Sequence, residues 1–327
     1  MKEWSGWPVV DDSTDWETAQ KILTEAELSD GLPLVPPIAK RLDMMVAGLS
    51  NRTESLGMMP PMFGDITADA VAYQCVIAGA LPEELPVVLA AAQAILEPDF
   101  NLLGIATTTG SAAVALCVHG PIARKLGVNA LTNAIGPGTR ANACIGRALQ
   151  LCLRNIGGAR SETGDMATMG QPAKFTLCFA ERNEGPFPGL TERLGLGKDA
   201  SAITVMGISG TAEVLPGDGE GATPEAILDP VIAAMRAEIV MSGQSRKNQR
   251  GEQVLLLPLE LAEKIAKHDA WDLKRVQQYM FDKGVDVASA PEAIHPIVTG
   301  GAGYKMAYLP IWGGGSQTVM RQIVKSS

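Results

Sequence analysis

Residues 115–129 read ALCVHGPIARKLGVN, and residues 254–268 read VLLLPLELAEKIAKH. Each begins as an apolar, partly branched run, breaks at a proline, and continues with apolar residues at helical spacing. Laid over one another, Ile122, Ala123, Arg124, Lys125 and Leu126 match Leu261, Ala262, Glu263, Lys264 and Ile265. A strand turning at proline into a helix, met twice, marks an α/β chain and points to an internal duplication.

The flanking segments fall in the same order. PEELPVVLAAAQAILE (82–97) reads as a helix begun by Pro82 with acidic residues in its first turn, and ILDPVIAAMRAEIV (227–240) echoes it. Downstream of the first stretch, NALTNAIGPGTRANACIGRALQLCLRN (129–155) carries Ile145, Leu149, Cys152 and Leu153 at helical spacing; DLKRVQQYMFDKG (272–284) takes its place in the second. KFTLCFAE (174–181) and HPIVTGGAG (295–303) read as corresponding strands. LGMM (56–59) and SAITVMGI (201–208) read as the strands that open the two units, ADAVAYQCVIAG (68–79) as a helix, and NLLGIATTTG (101–110) as a further strand. The expected fold is therefore α/β, with two similar lobes and a ligand cleft between their strand ends. The first lobe is expected over 56–190 and the second over 191–327. Residues 1–55 read as an arm packed on the body, with Trp4, Trp7 and Trp16 as anchors and DGLPLVPP (30–37) held extended by its prolines.

Among 327 residues, 46% are hydrophobic and 19% charged, which predicts a large core and no disorder, and a net charge of −9 argues against a nucleic-acid surface. The N-terminal residues lack the charged-then-apolar pattern of a secretion signal, and the apolar runs are shorter than a membrane span needs. A cytoplasmic chain without membrane contact is the expectation. Five cysteines, Cys75, Cys117, Cys144, Cys152 and Cys178, lie in apolar contexts without a CxxC pair. They read as buried thiols in a reducing compartment, with one catalytic thiol left open as an alternative.

The chemistry is expected around a helix start. Gly136, Pro137 and Gly138 turn the chain into Thr139 and Arg140, where free amides and the positive end of the helix dipole favour an anion. A cation is disfavoured by that dipole, so Arg140 implies either a bound anion or a buried acidic partner. Asn133 and Asn142 flank the turn. Thr108 and Thr109, within the hydroxyl-rich residues 107–111, are candidates to cradle an oxyanion. His119, at a strand end before Gly120, can move a proton near neutral pH, whereas His268 reads as structural. His119, His268 and His295 show no HxH or HExxH spacing, so no metal ligands are assigned, and no cofactor is specified. Asp165 and Glu181 are carboxylates placed to act as bases, or to pair with Arg140 or Arg147 instead. Lys174, Gly301 and Lys305 complete the candidate set. The run at 300–303 permits close backbone approach but matches neither a Walker loop nor GxGxxG.

Taken together, DGLPLVPP, AGALPEELPVVLAAAQAIL, FNLLGIATTTG, HGPIARKLGVNALTNAIGPGTRANACIGRALQLCLRNIGGA, DMATMGQPAKFTLCFAE and GGAG resemble an uncharacterised bacterial family of similar length. Its genes often stand beside one for a small UGSC- or CGSC-motif protein, in which the first position can be selenocysteine. The resemblance implies a small UGSC-type protein as a partner. The family usually has asparagine at the position of His119, histidine at Gln171, an aromatic at Thr139, and Ser-Pro-Trp where Gly185, Pro186 and Phe187 stand here. These departures fall on candidate site positions and imply a different substrate or reaction.

The expected function is that of an enzyme acting on a small anionic carboxylate metabolite in an inter-lobe cleft. Hydrolysis or a lyase or hydratase step fits better than hydride transfer, since no dinucleotide fingerprint is present. Arg140 and the residues 136–142 would bind the carboxylate, Thr108, Thr109 and Asn133 would orient it, and His119, Asp165 or Glu181 would move protons. Arg140→Met would then weaken binding and leave melting nearly unchanged. The alternatives are a subunit of a redox complex with a UGSC-type partner and a metabolite-binding protein without catalysis. Homo-oligomerisation, as a homodimer, or assembly into a hetero-oligomer is also expected.

Overall fold

A computed structural model describes residues 3–217, 223–241 and 251–324. The chain begins with the hairpin β1 (Glu3–Trp4) and β2 (Trp7–Pro8) and helices α1 (Trp16–Glu25) and α2 (Ala39–Met45). A second hairpin, β3 (Gly57–Met59) and β4 (Gly64–Ile66), leads into α3 (Ala68–Ala78), α4 (Leu85–Ala94) and α5 (Leu102–Thr107). Then follow β5 (Ala113–His119), α6 (Pro121–Leu126), α7 (Arg140–Asn155), β6 (Cys178–Ala180), α8 (Leu190–Arg193), β7 (Ala202–Ile208) and β8 (Ala212–Val214). The remainder is α9 (Pro224–Met241), β9 (Gln253–Leu257), α10 (Leu259–Ala266), α11 (Leu273–Gly284), β10 (Ile294–Val298), β11 (Met306–Pro310) and β12 (Val319–Gln322).

Two mixed four-stranded sheets organise these elements, in the orders β12-β7-β5-β6 and β10-β9-β11-β8. In the first, β5 runs parallel to β6 and antiparallel to β7, and β12 is antiparallel to β7. In the second, β9 runs parallel to β10 and antiparallel to β11, and β8 is antiparallel to β11. The two orders of strand direction are the same.

All of β5 is buried, and its alternation separates two cores. Val114, Leu116 and Val118 face the helices α3, α4 and α7, while Ala113, Ala115 and Cys117 face the second sheet. There they meet Phe179, Met206, Val254, Leu256, Ile297 and Leu309 in an apolar layer shared by both sheets. The far face of the second sheet carries Leu255, Leu257 and Tyr308 against residues of α9, α10 and α11. The result is four layers, helices, sheet, sheet and helices.

The expected boundary at residue 190 does not divide the sheets. β7, read as the opening strand of the second lobe, pairs with β5 along its whole length. From β7 the chain crosses to give β8 to the second sheet, and from β11 it returns to give β12 to the first. NLLGIATTTG is also corrected, since its first half is helix α5. The Asn101 side chain accepts the Gly104 amide at 3.2 Å and starts that helix, a capping signal that outweighs the branched composition.

Residues before 56 are joined to the rest of the fold by named contacts. Trp4 Nε1 donates to Asp69 O at 2.9 Å, Trp7 packs on Tyr73 at 5.1 Å between centroids, and Tyr73 Oη donates to Pro8 O at 2.7 Å. Trp16 is half exposed and is not an anchor. The largest polar tie is Asp30, which accepts two hydrogen bonds of 2.8 Å from Arg147 on α7. Burial acts to raise the Asp30 carboxyl, but the hydrogen bonds and charge of Arg147 outweigh it and hold it below the usual range. Because the folded value lies below the unfolded one, this stabilisation is present above roughly pH 4 and lost as pH falls through the folded value. Asp30→Asn should cost about 1–3 kcal/mol at pH 7 and flatten the acid limb of a urea-stability profile. An unchanged acid limb would contradict this.

Among the described residues no single helix is long and apolar enough to cross a membrane. All five cysteines are free, and burial pushes each thiol up, which disfavours the thiolate, although Arg140 and Arg147 act in the opposite direction on Cys144.

Candidate functional site

The sequence candidates do not converge on one point. They fall into five places.

At the helix start, Arg140 has the buried acidic partner. Its guanidinium meets Glu84 at 2.6 and 3.1 Å, and Glu84, 1% exposed, also accepts the Leu81 amide at 2.8 Å. Arg140 is thus committed to fixing α7 on the start of α4. Gly136 and Gly138 lie in the preceding turn, closed by Asn133 Nδ2 donating to Pro137 O at 2.7 Å. Asn142 is buried and satisfied: it accepts the Asn129 amide and donates to Ala134 O and Cys178 O, positioning the loop. α7 also lies close to β6, because a side chain at Gly146 would overlap Thr176 Oγ1.

At the carboxyl ends of β5 and β6, His119 and Glu181 are neighbours. His119 Nδ1 lies 2.8 Å from Glu181 Oε2, and Nε2 lies 2.7 Å from Thr204 Oγ1 on β7. Glu181 also accepts the Leu190 amide at 3.0 Å, and Arg193 Nη2 lies 3.9 Å from it. A carboxylate, an imidazole and a hydroxyl in line have the arrangement of an activated nucleophile. Yet His119 is 1% exposed and Thr204 fully buried beneath the segment 181–201, and the cavity beside His119 and Glu181 holds only about 30 Å³. The network instead holds α8 over the strand ends. Burial holds the Arg193 guanidinium below its usual range despite Glu181.

Thr108 and Thr109 lie at the opposite end of β5. The Thr108 hydroxyl accepts the Gly110 amide at 3.0 Å, and Thr109 O accepts the Thr168 amide at 2.9 Å. They shape a turn and anchor the loop that follows α7.

Under that loop is a charged cavity of about 180 Å³. Asp165 and Lys174 form an ion pair at its wall, with Asp165 Oδ1 accepting the Ala167 amide at 3.0 Å. Gln150 and Arg154 enter from the last turns of α7, and Ser161 and Phe175 from the loop. Gln150 Nε2 is fixed on Val114 O at 3.2 Å. Arg154 is half-buried, and its buried Nε has no hydrogen-bond partner among the described residues. Its neighbours Arg147 and Arg160 are paired with Asp30 and Glu27. Burial and the charge of Arg160 hold Arg154 below its usual range, and the charges of Asp30, which lines the same cavity, and of Glu27 offset this only in part.

The fifth place is a larger cavity of about 780 Å³ at the carboxyl ends of β9 and β10. Asn133, Gly301 and Lys305 line it, with Lys305 Nζ 3.2 Å from Glu213.

Arg154 and Gln150 escaped the sequence reading because polar residues near a helix C-terminus are ordinary there. Thr204 was hidden inside an apolar strand. Among the described residues no three His, Cys, Asp or Glu side chains are grouped to hold a metal ion. No protein-family model and no curated protein matches this chain.

Proposed function

We propose that the protein is an enzyme of lyase or hydrolase type acting on a small carboxylate metabolite in the charged cavity. The observation that carries this reading is Arg154, whose buried Nε has no hydrogen-bond partner among the described residues and which lines the same cavity as the Asp165–Lys174 pair. The carboxylate accepts hydrogen bonds from the Arg154 guanidinium, whose nearby countercharges Asp30 and Glu27 are each paired with another arginine. Asp165 then serves as the base that removes a proton beside the carboxylate or from water, and Lys174 supplies a proton to the leaving group. Arg154 stabilises the negative charge that develops meanwhile. In this reading proton transfer belongs to Asp165, and His119 and Glu181 are positioning groups.

Arg154→Met breaks no hydrogen bond among the described residues, so its stability should stay within about 0.5 kcal/mol of the parent while carboxylate binding is lost. Asp165→Asn should retain binding and lose product formation. Retained carboxylate binding in Arg154→Met would dismiss the reading.

Exposed Met62, Met166, Met169 and Phe175, on the segments around this cavity, favour a second reading. In it the cavity works only when a small UGSC-type partner covers these side chains. Turnover that requires the partner, with inactivity alone, separates the two.

We also propose that the sheets descend from a duplicated unit with exchanged last strands. The shared order of strand directions supports this, as does the correspondence of β5 and α6 with β9 and α10.

A further inference from the structure

The two sheets finish their parallel pairs differently. The alignment that lays Leu261 on Ile122 lays Leu256 on Cys117 and Leu257 on Val118. The ladders keep the same register. Cys117 pairs with Thr204 where Leu256 pairs with Ala307, and Val118 pairs with Ala180 where Leu257 pairs with Val298. One residue further along, His119 corresponds to Pro258 and Glu181 to Thr299. The buried triad of the first sheet is therefore replaced by Pro258, Thr299 and Ala307 in the second. All three replacements line the cavity of about 780 Å³.

What fills this position in the first sheet is the chain itself. Residues 181–201 fold over the strand ends, and Leu190 enters the apolar layer between the sheets. The corresponding connection, residues 299–305, is short and glycine-rich, and carries no counterpart of α8. It is drawn across the sheet interface instead: Thr299 Oγ1 donates to Ala180 O at 2.8 Å and the Gly300 amide to Ala130 O at 3.0 Å. Gly301 is required there, since a side chain would overlap Thr132.

We propose that the strand-end cavity of the second sheet is a ligand site for a molecule with an apolar body and an anionic head, of the class of medium-chain carboxylic acids. The volume is that of a small-molecule site. Its walls include Ala134, Ile135, Leu215, Leu256, Pro258 and Met306, which suit the apolar body much as the Leu190 side chain suits the first sheet. The head meets polar groups on one side. Lys305 and Glu213 are each more than half exposed, so their ion pair is weak and Lys305 can turn to a carboxylate. Among the described residues the amides of Gly301 and Ala302, on the same turn, have no partner. This site is separate from the charged cavity and does not depend on its function.

The test is displacement of 1-anilinonaphthalene-8-sulfonate fluorescence by octanoate and by octan-1-ol. Octanoate should displace the dye about three- to tenfold better than octan-1-ol, the preference expected of one exposed cation. Lys305→Met should abolish that preference, and Ala307→Phe should remove displacement by both compounds. Should Ala307→Phe not fold, Leu215→Glu on the exposed rim should weaken octanoate about tenfold. Arg154→Met should leave octanoate unaffected. Absence of displacement by millimolar octanoate would overturn the proposal. So would displacement unchanged in Lys305→Met and in the cavity variant, or lost in Arg154→Met alone.

Discussion

Glu181→Ala is expected to destabilise the protein by about 3–5 kcal/mol, the range for removing one partner from a buried ionic network. Two groups lose their acceptor and a third its ion-pair partner. The His119 imidazole keeps only Thr204, the Leu190 amide is left facing a void, and Arg193 stays buried without its nearest carboxylate. Arg193 already has Nε and Nη1 without partners among the described residues, its Nη2 being held by Pro296 O at 2.7 Å. Glu181→Gln should cost much less, because an amide oxygen still accepts from His119 and Leu190. Urea denaturation of both variants checks the ordering. Equal and small losses would show that α8 is held by the apolar contacts of Leu190 alone.

Arg140→Met carries the second large effect, a loss of stability where the anion-binding reading of the sequence expects melting nearly unchanged. The Glu84 carboxylate is almost fully buried and retains only the Leu81 amide once the guanidinium is gone. A cost of about 2–4 kcal/mol follows, toward the low end because the Arg140 side chain is 46% exposed and water can enter. Adding Glu84→Gln removes the stranded charge while keeping an acceptor for Leu81. The double variant should recover more than half of the loss, giving a coupling energy above about 1 kcal/mol in a double-mutant cycle. Additive losses would mean that the two residues act independently.

The sequence made the local units legible and left their assembly hidden. β5 with α6, and β9 with α10, could be read because hydrophobic period changes from strand to helix at a proline. Correspondence of 227–240 with 85–96 was visible for the same reason, and both segments are helical over most of their length. Strand pairing has no such local mark. Nothing in SAITVMGI says that it pairs with β5, or that β8 joins the second sheet and β12 the first, because those choices are made by packing in the shared apolar layer. Arg140 had two readings, and only the position of Glu84 from a separate helix decides between them. For the candidate site, Asp165 and Lys174 were named from the sequence and lie together. Arg154 was not, since a lone arginine late in a helix gains meaning only when its partners are counted in three dimensions.

In the proposed function Arg154 binds a carboxylate beside Asp165 and Lys174. Diffraction from crystals soaked in small mono- and dicarboxylates, on the parent and on Arg154→Met, tests it most directly. A carboxylate within hydrogen-bond distance of the Arg154 guanidinium in the parent, and absent from the variant, is the predicted result. An empty charged cavity in the parent, or the same density in both proteins, would contradict it.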